Sequence, residues 1–212
     1  MTIAVRRPEF IARQSGCPSG LLGRLIGYIM SAETAGENAL AVTALDLQCD
    51  DRVLEIGFGH GRTIEHAAAS VPLGFIAGID RSEEMGRMAA RRCRQLLRDG
   101  KVGLAVGDSA RLPFPDQSFE KALSVHTVYF WGDPIVHLRQ IRRVLRDAGR
   151  LVLVFRSKDD KMADEFPATV YTFYTPEEVG SLLDATGFQS VDLTSAPGEL
   201  IMATARRPPL AA

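Results

Sequence analysis

Charge of either sign in excess is the first thing this chain lacks. Its 25 Lys and Arg nearly balance 26 Asp and Glu, for a net charge of −1 over 212 residues. No global field therefore gathers a polyanion, and a dedicated nucleic-acid binder, which usually shows a basic bias, is disfavoured. Cysteine is scarce. Cys17, Cys49 and Cys93 are odd in number and have no metal-ligand spacing, which argues against a disulfide framework or a metal site and leads us to expect a cytoplasmic protein. No uncharged run approaches the roughly 20 residues that span a bilayer. The N-terminal arginines are not followed by a long apolar core, so no signal peptide is expected. Internal repeats, low-complexity tracts and the G-x-G-x-x-G dinucleotide fingerprint are also missing.

What is present centres on residues 52–61, Arg-Val-Leu-Glu-Ile-Gly-Phe-Gly-His-Gly. Val53 to Ile56 reads as a buried strand running into glycines at alternate positions, Gly57, Gly59 and Gly61. Glycine permits positive φ and close approach of a ligand to the backbone. A strand, such a turn and a helix open the nucleotide site of doubly wound α/β sheets. Glu55 just before the turn disfavours a pyrophosphate and favours a cationic ligand, although it also suits a cap on backbone amides.

Alternation continues downstream. Strands are expected at 52–56, 74–79, 101–106, 119–125 and 150–155, with helices over about 61–70, 82–98 and 134–145. Asp133-Pro134 supplies an N-cap acid and a first-turn proline. Thr175-Pro176-Glu177-Glu178 is a capping box for a further helix. Two last strands, 188–194 and 199–205, joined by Ala196-Pro197-Gly198, imply an antiparallel ending. Upstream, residues 1–19 show no period and read as a flexible arm. Residues 20–47 read as two helices, the first carrying Leu22, Leu25, Ile26, Ile29 and Met30 at helical spacing, with Gly23 and Gly27 four apart. Residues 48–207 then form one Rossmann-like domain. The arginine cluster Arg81, Arg87, Arg91, Arg92, Arg94, Arg98 and Lys101 reads as a solvated helix face rather than an RNA contact, because Met85, Met88, Ala89, Cys93, Leu96 and Leu97 supply an apolar stripe.

Asp80 ends the second strand, 23 residues after Gly57. A carboxylate there offers two acceptor oxygens to ribose hydroxyls, or an N-cap to the next helix. Asp108-Ser109 follows the third strand. Together Glu55-x-Gly57-x-Gly59-x-Gly61, Asp80, Asp108-Ser109 and Arg111-Leu112-Pro113-Phe114 resemble, in order and register, the class I S-adenosylmethionine-dependent methyltransferases, and most closely the small-molecule branch that includes the ubiquinone and menaquinone methyltransferases. The resemblance covers about residues 18–205. It implies a seven-stranded, mainly parallel sheet of order 3-2-1-4-5-7-6 with the last strand antiparallel, N-terminal lid helices, and S-adenosylmethionine as cofactor. It places Glu55, Gly57, Gly59, Gly61, Asp80, Arg81, Asp108, Ser109 and His126 around that cofactor. One departure is Asp147-Ala148-Gly149 where the family often has Pro-Gly-Gly.

Substrate-side residues are expected after the fourth strand, in Ser124 to Trp131. The N/D-P-P-Y/F motif of DNA and protein amide methyltransferases is absent, which points to a small-molecule acceptor and away from nucleic acid. His126 is the candidate general base or orienter, and Tyr129 is a second candidate catalytic residue. Tyr28, Tyr129, Trp131, Tyr171 and Tyr174 are the candidate acceptor-pocket residues. His60, in the glycine turn, could touch the methionine carboxylate of the cofactor but reads first as a surface residue. An NAD(P)-linked oxidoreductase and a non-catalytic cofactor-binding protein remain open alternatives. The acceptor, the atom methylated and the oligomeric state have no signature in the sequence.

Overall fold

Successive apolar residues in a strand signal burial on both faces, because alternate side chains point to opposite sides of a sheet. In the computed structural model, which describes residues 7–209, Val53, Ile76, Val152 and Val154 face one apolar cluster and Leu54, Ala77, Leu153 and Phe155 the other. The strands are β1 (Arg52–Ile56), β2 (Phe75–Asp80), β3 (Val102–Val106), β4 (Phe119–Val125), β5 (Leu145–Arg156), β6 (Gln189–Ala196) and β7 (Leu200–Arg206). They form one seven-stranded sheet of order β3-β2-β1-β4-β5-β7-β6. All neighbours are parallel except those of β7, which runs antiparallel to both β5 and β6. This is the order and direction the resemblance implied. The last strand is thus interior, and β6 forms the edge.

One face is covered by α3 (Ala35–Leu45), α4 (Arg62–Ala68) and α5 (Glu83–Arg92), the other by α7 (Pro134–Val144) and α8 (Pro176–Ala185). Their starts follow local chemistry. Asp133 accepts from the Ile135 N–H ahead of α7 with Pro134 in the first turn, and Thr175 and Glu178 close a reciprocal capping box on α8. Leu138, Ile141 and Val144 then bury one stripe of α7, each such side chain contributing about 1.5–3 kcal/mol.

Local differences from the sequence expectation are instructive. Residues 1–6 of the expected arm lie outside the described residues, but Glu9–Gly16 form a helix, α1. Its apolar face is too short to show a period. Ala12 is nonetheless fully buried, and a Cβ on Gly16 would meet the Phe130 ring at 2.8 Å. The helix expected over 82–98 breaks at Cys93 into α5 and α6 (Arg94–Arg98), where the Cys93 thiol turns inward to the Gly61 carbonyl at 3.6 Å. Burial pushes that thiol up to about 11, opposite to what its arginine neighbours alone would do. In the turn before the parallel part of β5, Ala148 rather than Gly149 takes positive φ.

Candidate active site

The parallel ladders end on one side of the sheet. There Gly57 N–H donates to Ile79, Gly107 N–H to Asp80 and His126 N–H to Val154, each to a backbone carbonyl at 2.8–2.9 Å. These bonds aim the loops after β1, β2, β3 and β4 into one crevice at the β1/β4 crossover, where open α/β sheets bind ligands. A cavity of about 180 Å³ lies there, bounded by those loops and by α1, α2 (Gly20–Glu33) and α3.

Gly57, Gly59 and Gly61 all adopt positive φ, at 75°, 53° and 83°. The turn also has no room beside it, since a Cβ on Gly57 would lie 2.2 Å from the Thr127 methyl. Glu55 is buried behind the turn and lines the cavity. Burial and the Asp80 charge push its carboxyl up to about 8, against a hydrogen bond from Thr63. Asp80 accepts from the Gly59 N–H at 2.8 Å on one oxygen and from the Ser82 N–H at 2.9 Å on the other. It therefore ties the glycine turn to the head of α5, and it also lines the cavity. Burial raises its pKa, and the two N–H donors oppose that rise. Arg81 also lines the cavity.

Asp108 accepts from the Ala110 N–H at 2.9 Å, shaping a short 3-10 turn that carries Ser109. The Ser109 hydroxyl lies 2.7 Å from His137 Nδ1, and the His137 ring stacks on Trp131 at 5.0 Å and 5°. Ser109, His137 and Trp131 all border the cavity. Burial lowers the His137 pKa, against the opposing charges of Asp108 and Asp133. His137 has no signal in the sequence as a site residue. Its chemistry came from the approach of α7 to the β3 loop.

His126 sits in the left-handed region at φ 56°. Its Nδ1 is 2.9 Å from the Tyr129 hydroxyl, and its Nε2 makes a short contact to the Glu37 carboxylate of α3. Tyr129 in turn accepts from the Arg156 N–H. Burial pushes the Glu37 carboxyl up, but the His126 hydrogen bond and the His126 and Arg156 charges outweigh it, leaving the net direction down. Glu37 was not legible as a site residue, being 89 positions from its partner. His126 and Trp131 line the cavity, but Tyr28, Tyr129, Tyr171 and Tyr174 do not. Tyr129 and Tyr171 are buried behind the wall, packed against Phe166 and Phe173 and against the back of the wall residue Phe130. Tyr174 is half-buried on the same core, and Tyr28 is 62% exposed against the His60 ring. His60 differs from its surface reading: it is buried in the cavity wall, and its Nδ1 has no hydrogen-bond partner among the described residues.

Residues 54–153 match the family model described as a methyltransferase domain. Over 187 residues the chain is 28% identical to the uncharacterized methyltransferase YdaC of Bacillus subtilis, covering 87% of this chain and 98% of that one. It is 29% identical over 154 residues to the demethylmenaquinone methyltransferase of Thermotoga maritima, covering 73% and 62% of the two chains. A crystal structure of an S-adenosylmethionine-dependent methyltransferase from Aquifex aeolicus shares the fold at a TM-score of 0.70 and 20% identity, over 81% of this chain and 89% of that one. Nothing in these likenesses supports an oxidoreductase, whose usual strand order lacks the inserted antiparallel β7. The matched domain and the named relatives agree on an S-adenosylmethionine-dependent methyltransferase, and the sheet order is similar to that of the class I enzymes.

Proposed function

We propose that this enzyme transfers the methyl group to a small, mostly apolar or aromatic molecule held between the lid helices and the end of β4. The observation that carries the reading is the make-up of the wall formed by α2, α3 and the β4 loop. Met30, Phe130 and Trp131 supply apolar surface, and Thr34, Asn38 and Thr127 supply a few polar handles. Sites of that make-up suit small organic ligands. The demethylmenaquinone methyltransferase it resembles is named for such an acceptor.

The cofactor fits the residues present. Two buried carboxylates, Glu55 and Asp80, flank a glycine turn open to a ligand, and His60 Nδ1 is a buried polar atom without a hydrogen-bond partner among the described residues. We assign Glu55 to the ligand's ammonium, Asp80 to its ribose hydroxyls, and Asp108 with Ser109 to its adenine. Arg81 and Gly61 complete the frame of the loops, and His60 Nδ1 meets a polar atom of the methionine part. When bound, S-adenosylmethionine supplies a methyl group already activated on a sulfonium. The chain's task is then alignment, which supplies about 7–11 kcal/mol.

His126 and Tyr129 act here by positioning. Both ring nitrogens of His126 are engaged, so an acceptor proton has no free nitrogen to reach. The Glu37–His126–Tyr129 chain instead pins α3 to the β4 loop that carries Thr127 and Phe130. Gly27 and Met30 bring α2 to the border of the cavity, so α2 is the element that would shift to admit an acceptor beside the cofactor.

The test is methyl transfer from labelled donor to a panel of phenols, quinols, amines and lipophilic acids, with tRNA and protein as comparators. Turnover on one of the small molecules is expected. Robust labelling of tRNA or protein with none of the small molecules labelled overturns the substrate class.

A further inference from the structure

The lid helix α2 has two faces of different character. Gly23 and Gly27 are buried, with Gly27 so close to α5 that a Cβ would meet the Met85 methyl at 2.8 Å. The opposite face carries Leu21, Leu22, Leu25, Tyr28 and Ile29, with exposures of 80%, 44%, 60%, 62% and 48%. Their spacing, i, i+1, i+4, i+7 and i+8, is one continuous stripe of a helix. Scattered apolar residues on a surface are ordinary, but a contiguous stripe marks an interaction site.

The neighbouring helix supplies the complementary feature. Glu84 accepts from Arg24 of α2 and from Arg87 of α5 at once. This shared carboxylate sets the edge of the apolar stripe beside the start of an arginine row. The row continues through Arg91 at the end of α5 and, beyond the break at Cys93, through Arg94 and Arg98 of α6, and all three are exposed. None of these three makes an ion pair among the described residues. In a chain of net charge −1, this is a strongly local excess of cations. Fixed cations beside an exposed apolar helix match a surface that is itself anionic on top and apolar beneath. Nucleic acid would use the arginines but leave the leucines in water, and a second copy of the chain would bring like charges together.

We propose that the α2 and α5 face docks in the plane of an anionic lipid bilayer. Leu21, Leu25 and Tyr28 enter the headgroup and acyl boundary, and Arg91, Arg94 and Arg98 meet lipid phosphates. Among the described residues no helix is long and apolar enough to cross a membrane, so the association is peripheral. Because the inner face of α2 borders the cofactor cavity through Gly27 and Met30, docking would take hold of the lid itself. The inference goes beyond the acceptor assignment and does not rest on it.

Co-sedimentation of the full chain, without cofactor or acceptor, with phosphatidylcholine vesicles and with vesicles containing phosphatidylglycerol tests it. Binding to the anionic vesicles is expected, weakened by added salt and much reduced on phosphatidylcholine alone. The double variant Arg91→Ala/Arg94→Ala should weaken it roughly 30-fold, at about fivefold per cation. Leu25→Asp should abolish it with an unchanged circular dichroism spectrum, and Ile29→Asp serves if that variant misfolds. Leu25→Trp should show a blue-shifted emission on anionic vesicles only. Absence of vesicle binding, or equal binding by wild type and both aspartate variants, overturns the proposal. So does a dimer in solution that Leu25→Asp dissociates while vesicles bind nothing, or retention of RNA by the arginine row in place of vesicles.

Discussion

Replacing Glu55 by glutamine should make the empty enzyme more stable and its cofactor complex weaker, with both effects tied to pH. The carboxyl is buried, and burial with the Asp80 charge pushes it up to about 8, against an ordinary value of 4.5. A raised carboxyl pKa means that the folded state favours the protonated form. Its stabilising preference is complete below about pH 4.5 and is lost as pH rises through 8. At pH 7 the unfolded chain gains about 3 kcal/mol by ionising a group that the fold keeps neutral. Glutamine has nearly the same shape and no charge to lose. Its amide NH₂ lacks a partner, which takes back about 1 kcal/mol. The net gain is then about 2 kcal/mol at pH 7, or about 4–8 °C in Tm for a domain of this size. By pH 5 the advantage should have vanished. Binding goes the other way. If Glu55 meets the ammonium of the ligand, binding strips its proton, releasing about 0.9 proton per ligand at pH 7. Below pH 8 the affinity of the wild type should rise about tenfold more per pH unit than that of Glu55→Gln. Thermal denaturation at pH 5, 7 and 8.5, and titration calorimetry with S-adenosylhomocysteine in buffers of different ionisation heat, read both effects. A Tm difference that does not change with pH, or binding with no proton release, would refute the reasoning.

Asp80→Asn keeps one strong acceptor for the Gly59 and Ser82 N–H groups and loses the charge, so cofactor affinity should fall about 10–150-fold by calorimetry, for one charge-assisted bond of about 1.5–3 kcal/mol. His126→Asn, a residue tolerant of the left-handed backbone at φ 56°, should lower kcat less than tenfold and leave the pH–rate profile in place, whereas loss of a true general base would cost about 10²–10⁴-fold. Gly57→Ala should destabilise the fold by about 2–4 kcal/mol in urea denaturation, from strain at φ 75° and the 2.2 Å approach to the Thr127 methyl. Adding Thr127→Ser removes that methyl, so part of the loss should return, and strict additivity of the two changes would contradict the contact.

What the sequence determined by itself was whatever depends on near neighbours. Apolar runs bounded by turns marked the strands, because burial on both faces leaves no polar position from Leu151 to Phe155. Three alternate glycines marked the turn, because each holds positive φ. Asp133-Pro134 and the Thr175 capping box marked helix starts, because a cap is a bond within a few residues. Tertiary structure decided the pairs that meet from far along the chain. His126 became a tied residue only through Glu37, and Ser109 found His137 only when α7 packed beside the β3 loop. Arg207 was silent in the sequence, yet its guanidinium donates to the carbonyls of Arg142, Arg143 and Leu145 at the end of α7, a role set by where β7 inserts. The tyrosines show the same division. Their ring chemistry suited an acceptor pocket, but the fold turned Tyr129 and Tyr171 into the aromatic core behind the wall and Tyr28 outward. Residue type states what a side chain can do, and the packing of distant elements decides which neighbour it does it to.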